Sequence, residues 1–282
     1  MNRPAGEEAP SSPDGGICLV LGAGGFRGLA HVGVLKALRR ASVPIHSVIG
    51  VSIGALVAAF HAGLGLEPDE IAERLSRLTT SSLFALGVAL RRWGPLSRRA
   101  RRAVSSHLDD LEMLSSLRLD RLHFGVRRLG LLAMDLPGGE EVFAATGLPC
   151  PVPPDRIVLG GISIPGFFPT VRFRSPGKTY HLADGGFSRS VPVERAFQPP
   201  FSARRVLAVD LQVIRGLRER RGDRWRRLQS EHGDALVRLL PDVERTGTIF
   251  FRRGSGADLL RAGEEAVNGE VISRLTLSRR GC

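Results

Sequence analysis

Residues Gly50-Val51-Ser52-Ile53-Gly54 carry the G-x-S-x-G pattern of a nucleophile elbow, in which a serine sits on a strained turn between a strand and a helix. The glycines at either side keep side chains out of that tight bend. Such a pattern arises by chance in a chain with 34 glycines, so its surroundings decide what it means. Here an apolar run, Ile45 to Val51, precedes the serine, and a stretch rich in Ala and Leu follows it. Strand, turn and helix are the context the motif requires.

A serine hydroxyl attacks a carbonyl only when a base takes its proton, and the tetrahedral intermediate needs N–H donors where its oxyanion forms. The Ile53 N–H is one candidate, because it directly follows the nucleophile. A second source is the loop Gly22-Ala23-Gly24-Gly25-Phe26-Arg27-Gly28, whose glycine backbone can approach a ligand closely at the start of a helix. The same loop invites a dinucleotide-binding reading. That fingerprint needs G-x-G-x-x-G and an acidic residue about 20 positions on. Arg27 breaks one frame, Ala23 breaks the other, and no Asp or Glu occurs between Asp14 and Glu67, so no nucleotide cofactor is expected.

Spacing alone places none of the histidines, at 31, 46, 61, 107, 123, 181 and 232, beside Ser52. His31 falls on the helix after the glycine loop, where a structural role is expected. The most suggestive acid is Asp184, which ends a short apolar run and is followed by Gly185 and Gly186. Two glycines let a carboxylate at a strand end turn into a site, although a plain Asp-Gly turn reads the same way.

The elements that must position these residues follow from periodicity. Ile17 to Leu21 is a short, wholly apolar run expected to form a strand buried on both faces. After the glycine loop, Leu29, Val32, Leu35 and Leu38 mark a helix that ends at Arg39 and Arg40. Ile45 to Val51 and the segment from Ser52 repeat the strand, turn, helix order. Two such units imply an α/β protein with parallel strands and a site at their carboxyl ends. Helices are expected over Pro68 to Leu78, Pro95 to Leu117 and Ala257 to Val267. A hairpin of His123 to Asp135 and Glu141 to Ala144 is expected around Pro137-Gly138-Gly139, a buried strand over Arg205 to Leu211, and a surface loop or solvated helix over 212–234.

The composition is globular, with 43% hydrophobic and 24% charged residues. The net charge is +12, and every basic residue but Lys36 and Lys178 is arginine. Arginine suits anionic surfaces, and it is also what a GC-rich coding sequence supplies. Cys18, Cys150 and Cys282 are odd in number and widely spaced, so neither a disulfide framework nor a zinc site is expected and a cytoplasmic location fits. Residues 1–15 lack a basic stretch followed by an apolar one and read as a disordered leader. Residues 16–270 read as one domain and 271–282 as a tail.

Taken in order, GAGGFRGLAHVGVLKAL at 22–38, GVSIGALVAA at 50–59 and ADGGFSRSVPV at 183–193 resemble the patatin-like phospholipase family, in particular its bacterial branch related to neuropathy target esterase. Weaker matches are AMDLPGGEEVFAATG at 133–147, ISIPGFFPTV at 162–171 and LLRAGEEAV at 259–267. The resemblance implies a three-layer α/β/α sandwich with a mainly parallel central sheet, and a Ser-Asp dyad that hydrolyses lipid acyl esters without histidine or metal. Ser52 would be the nucleophile and Asp184 the base; Gly24 and Gly25, helped by Ala23 and Arg27, would form the oxyanion hole. The chain departs from the family pattern at Ala23, where glycine is usual, and at Phe187-Ser188-Arg189-Ser190, where an asparagine commonly precedes Val-Pro.

The expected substrate is a phospholipid or lysophospholipid, met at a membrane surface that the enzyme contacts peripherally and transiently. Trp93 with Arg91 and Arg92, followed by Arg98, Arg99, Arg101 and Arg102, would suit anionic headgroups. Nucleic acid is not an expected partner, since only 6% of residues are aromatic and the chain carries no RNA-binding signature of interleaved aromatics. Two alternatives stand beside this reading: a catalytically silent membrane-binding scaffold on the same fold, and an α/β-hydrolase triad of Ser52, Asp184 or Asp210, and His232.

Overall fold

The computed structural model describes residues 16–77, 109–136, 138–166, 168–211, 218–243 and 255–276. Its centre is an eight-stranded sheet made of β1 (Ile17–Leu21), β2 (Ile45–Val51), β3 (Arg128–Asp135), β4 (Glu140–Ala145), β5 (Val171–Ser175), β6 (Lys178–Ala183), β7 (Val206–Val209) and β8 (Leu236–Leu239). The strand order is β5-β6-β3-β2-β1-β7-β8, with β4 also paired to β3. From β3 through β2, β1 and β7 to β8 every neighbour is parallel; the β4 and β5–β6 pairings are antiparallel.

Buried strands need cover on both faces, and alternation along β1 shows how it is supplied. Ile17, Leu19 and Leu21 face a core built with α1 (Leu29–Arg40), α2 (Ile53–Ala58), α3 (Pro68–Arg77), α4 (Pro154–Gly161) and α7 (Ser255–Ala266). Cys18 and Val20 face the opposite layer, where α5 (Val193–Phe197) and α6 (Arg218–His232) pack. The result is the expected three-layer α/β/α sandwich. Helices α1 and α7 touch through glycine: a Cβ on Gly33 would lie 2.1 Å from the Leu260 carbonyl oxygen, and one on Gly263 2.0 Å from that of Ala30.

The pairing around β3 decides where the site forms. Its residues 128–132 pair with β2 along one edge, and its residues 130–135 pair with β4 along the other. Where β2 stops, at Val51 opposite Leu132, β3 runs on, and β6 takes over the vacated edge through Met134–Ala183 and Asp135–Leu182. The buried Asp135 carboxylate reinforces this short pairing, accepting the His181 backbone N–H at 2.8 Å and the Lys178 ammonium at 3.0 Å.

Several elements differ from the sequence expectation. Segment 218–232 is helical but not wholly solvated, because Trp225 and Leu228 are buried beneath it and the Arg238 guanidinium lies 4.3 Å from the Trp225 ring centre. Packed structure also continues past residue 270: α8 (Gly269–Thr276) buries Leu275, so the tail boundary set at 271 falls inside a helix. Residues 109–115 are helical and 116–117 are not, while residues 95–108 of the expected helix with their arginines, Trp93 and the leader lie outside the described residues. No helix among the described residues is long and apolar enough to cross a membrane.

Candidate active site

Ser52 occupies the turn between β2 and α2 with φ 57° and ψ −132°, a backbone that a side-chain-bearing residue rarely adopts. The glycines around it are required by close approach. A Cβ on Gly50 would stand 2.4 Å from the Gly54 carbonyl oxygen, and one on Gly54 2.3 Å from that of Leu21. The elbow is therefore pressed onto the end of β1, next to the glycine loop.

Asp184 directly follows β6. Its Oδ2 accepts the Ser52 hydroxyl at 2.6 Å, and its Oδ1 accepts the Gly186 N–H at 2.7 Å. The Asp184 N–H donates to the Ser163 carbonyl at 2.9 Å. Both side chains are buried, each residue being 4% exposed. Burial raises the Asp184 pKa from its ordinary 3.8 to about 6, against the opposing pull of its bonds from Ser52 and Gly186. A carboxylate in that range is ionised at neutral pH and close enough to it to accept a proton. Gly186 admits the arrangement, since a Cβ there would be 2.5 Å from the Ala23 methyl carbon. Gly185 lies against Leu132 and Ala133 of β3.

The glycine loop flanks this pair. Gly28 lies under the Ile53 side chain, and the Gly22 carbonyl accepts His31 Nε2 at 2.7 Å, which requires that nitrogen to carry the proton. His31 is fully buried, and burial lowers its pKa to about 4, so it is neutral and holds the loop. Two of the expected oxyanion donors are engaged elsewhere. Ala23 N–H donates to the Ser190 carbonyl at 2.8 Å and Arg27 N–H to the Gly24 carbonyl at 3.1 Å, so neither adds a backbone donor. The Arg27 guanidinium bonds the Leu211 carbonyl at 3.1 Å. Gly25 and Ile53 head helical segments, where N–H groups have no intrahelical acceptor; together with Gly24 they are the remaining candidates.

The alternative triad finds its members engaged elsewhere. Asp210 accepts Arg238 at 2.6 Å, and the His232 ring stacks on Phe197 with centres 3.6 Å apart. The segment after Gly186 is also well bonded despite lacking the usual asparagine: the Ser188 hydroxyl caps the Gly185 carbonyl at 3.0 Å, and Arg189 is ion-paired with Glu141 and Glu194. Sequence reasoning missed Glu141, whose partners Arg189 and Arg195 lie 48 and 54 positions away, and Glu194, which Arg224 reaches from 30 positions away.

The family model described as patatin-like phospholipase matches residues 19–197. This chain belongs to the patatin-like phospholipase family. Among relatives of the patatin-like domain, an NTE family protein of Mycobacterium tuberculosis is 30% identical over 194 residues, covering 68% of this chain and 49% of that protein. Human patatin-like phospholipase domain-containing protein 6 is 56% identical over 46 residues, 16% of this chain and 3% of that one. The chain spans about half the length of the curated mycobacterial relatives it matches. Among solved structures, VipD from Legionella pneumophila superposes with a TM-score of 0.55 at 14% identity, covering 93% of this chain and 67% of that one, a likeness of fold.

Proposed function

We propose that this patatin-like chain is a serine acyl hydrolase of lipid esters, with Ser52 as nucleophile and Asp184 as its general base. The observation that carries the reading is the 2.6 Å hydrogen bond from the Ser52 hydroxyl to a buried carboxylate, made from a strained elbow. As Oγ bonds to the ester carbonyl carbon, its proton passes to Asp184 and the carbonyl π electrons collect on oxygen, facing the N–H groups of Gly24, Gly25 and Ile53. Collapse of the intermediate expels the alcohol, which takes the proton from Asp184 and leaves an acyl-Ser52 ester. Water then repeats the sequence, its proton passing to Asp184, and the fatty acid departs as Ser52 is restored.

Phospholipid or lysophospholipid is the proposed substrate class, in keeping with the family, and the arginine excess would favour transient contact with an anionic membrane surface. The test is fatty-acid release from phosphatidylglycerol and lysophosphatidylcholine dispersions by wild type and Ser52→Ala. Release by wild type alone supports the reading. Equal, background release from both proteins would transfer the assignment to a silent membrane-binding scaffold.

A further inference from the structure

The segment from Gly185 to Val191 touches both halves of the site. At its start, the Gly186 N–H bonds the Asp184 carboxylate at 2.7 Å; near its end, the Ser190 carbonyl takes the Ala23 N–H at 2.8 Å, and Val191 lies against Gly22. The distance between the base and the glycine loop therefore depends on how rigidly this one segment is held.

Its centre is held by charge. Arg189 donates through Nε to Glu141 of β4, and its Nη1 lies 3.3 Å from Glu194 of α5. Both carboxylates are mostly covered, and both keep pKa values below the ordinary range because arginines outweigh the burial that acts against them. The far end is held too, since Arg224 of α6 donates to the Val191 carbonyl at 2.6 Å and pairs with Glu194 at 2.6 Å. Glu141 has a second partner, Arg195, at 2.8 Å, which lies outside the segment.

We infer that Arg189 is a positioning residue: bridging Glu141 and Glu194, it fixes the segment that sets Asp184 against Ser52 and consumes the Ala23 N–H, leaving Gly24 and Gly25 to face the oxyanion. At this stretch, where the family commonly carries asparagine, this chain uses an ion-paired arginine. The inference rests on the Ser52–Asp184 reading. Because Arg189 acts through the segment and not on substrate, its loss should lower kcat while leaving KM in place.

The experiment compares wild type, Arg189→Ala, Arg189→Lys and Arg195→Ala by steady-state ester hydrolysis and by the rate at which a fluorophosphonate labels Ser52. Arg189→Ala should lower kcat and labelling on the order of 10- to 100-fold, as a small misplacement of reacting groups does. Arg189→Lys should recover part of the loss, keeping the charge without the fork that spans two carboxylates. Arg195→Ala removes a guanidinium from the same Glu141 and should stay within about twofold of wild type. Wild-type labelling with Arg189→Ala unchanged would overturn this inference alone, as would equal losses in Arg189→Ala and Arg195→Ala. An unlabelled, folded wild type would overturn the Ser52–Asp184 reading and this inference with it. Should Arg189→Ala fail to fold, the Arg189→Lys and Arg195→Ala pair decides: a loss confined to position 189 upholds the inference, and equal rates overturn it.

Discussion

Ser52 and Asp184 meet at Ala133 from opposite directions along one edge of β3. Val51 pairs in parallel with Leu132, and Ala183 pairs antiparallel with Met134, so one residue beyond each strand end brings both side chains to the same rung. A serine and a carboxylate separated by 132 positions thus share an edge, each directly following its strand. Rigid placement of this kind, with the carboxylate 2.6 Å from the hydroxyl, is what the proposed serine–carboxylate chemistry requires.

Asp184→Asn is expected to abolish turnover and to stabilise the fold at neutral pH. The Asp184 pKa is raised on folding, so the native state binds the proton more tightly; native stability falls as pH rises from about 4 to 6, and the whole cost is present above 6. The shift amounts to on the order of 3 kcal/mol. Asparagine fills the same space without the charge, so the variant should melt above wild type at pH 7 to 8, with the gap shrinking as pH falls towards 4. Thermal melts of both proteins across that range check the sign.

The pH dependence of kcat/KM should show an acid limb with a midpoint near 6, from the same carboxylate. His31 acts with the opposite sign on stability. Its pKa is lowered on folding to about 4, so its contribution is complete above the ordinary 6.5 and is lost as pH falls through 4. Activity profiles of wild type and His31→Leu should share the midpoint near 6, while the variant loses stability because the Gly22 carbonyl loses its buried donor.

Much of this arrangement was legible from residue pattern. The Ile17–Leu21 and Ile45–Val51 strands, the glycine loop and the elbow lie where apolar runs and turn residues place them, because each is a local signal; the expected hairpin also forms, but its first strand starts at Arg128 and not His123, since a positive-φ turn at Phe124-Gly125 precedes it. The β5–β6 hairpin that delivers Asp184 was not, since VRFRS and KTYHLA alternate polar and apolar residues at a half-covered edge and their partner strand is remote. Nor could pattern show that Ser190 occupies the Ala23 N–H, or that Trp225 and Leu228 anchor an arginine-rich helix; both depend on contacts far apart in the chain.

Gly54→Ala should cost more activity than Gly147→Ala. At 54 the new methyl meets backbone of β1 at 2.3 Å, which can be relieved only by moving the elbow, at a cost of about 1–3 kcal/mol or more. At 147 the space is open and only the left-handed backbone, φ +81°, opposes alanine, at about 1–2 kcal/mol. Denaturant midpoints together with ester hydrolysis separate the two, and Gly54→Ala alone should lose activity beyond its loss of stability.

Binding to vesicles rich in phosphatidylglycerol should weaken steeply between 50 mM and 500 mM salt, because long-range attraction of an arginine-rich surface is screened over a Debye length of about 10 Å at 0.1 M. Co-sedimentation checks this. Salt-independent retention would remove electrostatic docking from the account and leave apolar contact in its place.

The most direct measurement is mass spectrometry of the intact protein and its peptides after treatment with a fluorophosphonate, on wild type, Ser52→Ala and Asp184→Asn. A single adduct is expected on the peptide containing Ser52 in wild type, with fluoride lost and the serine proton taken by Asp184, and no adduct in either variant. Folded wild type that stays unlabelled, or Asp184→Asn labelled as fast as wild type, would contradict the Ser52–Asp184 reading.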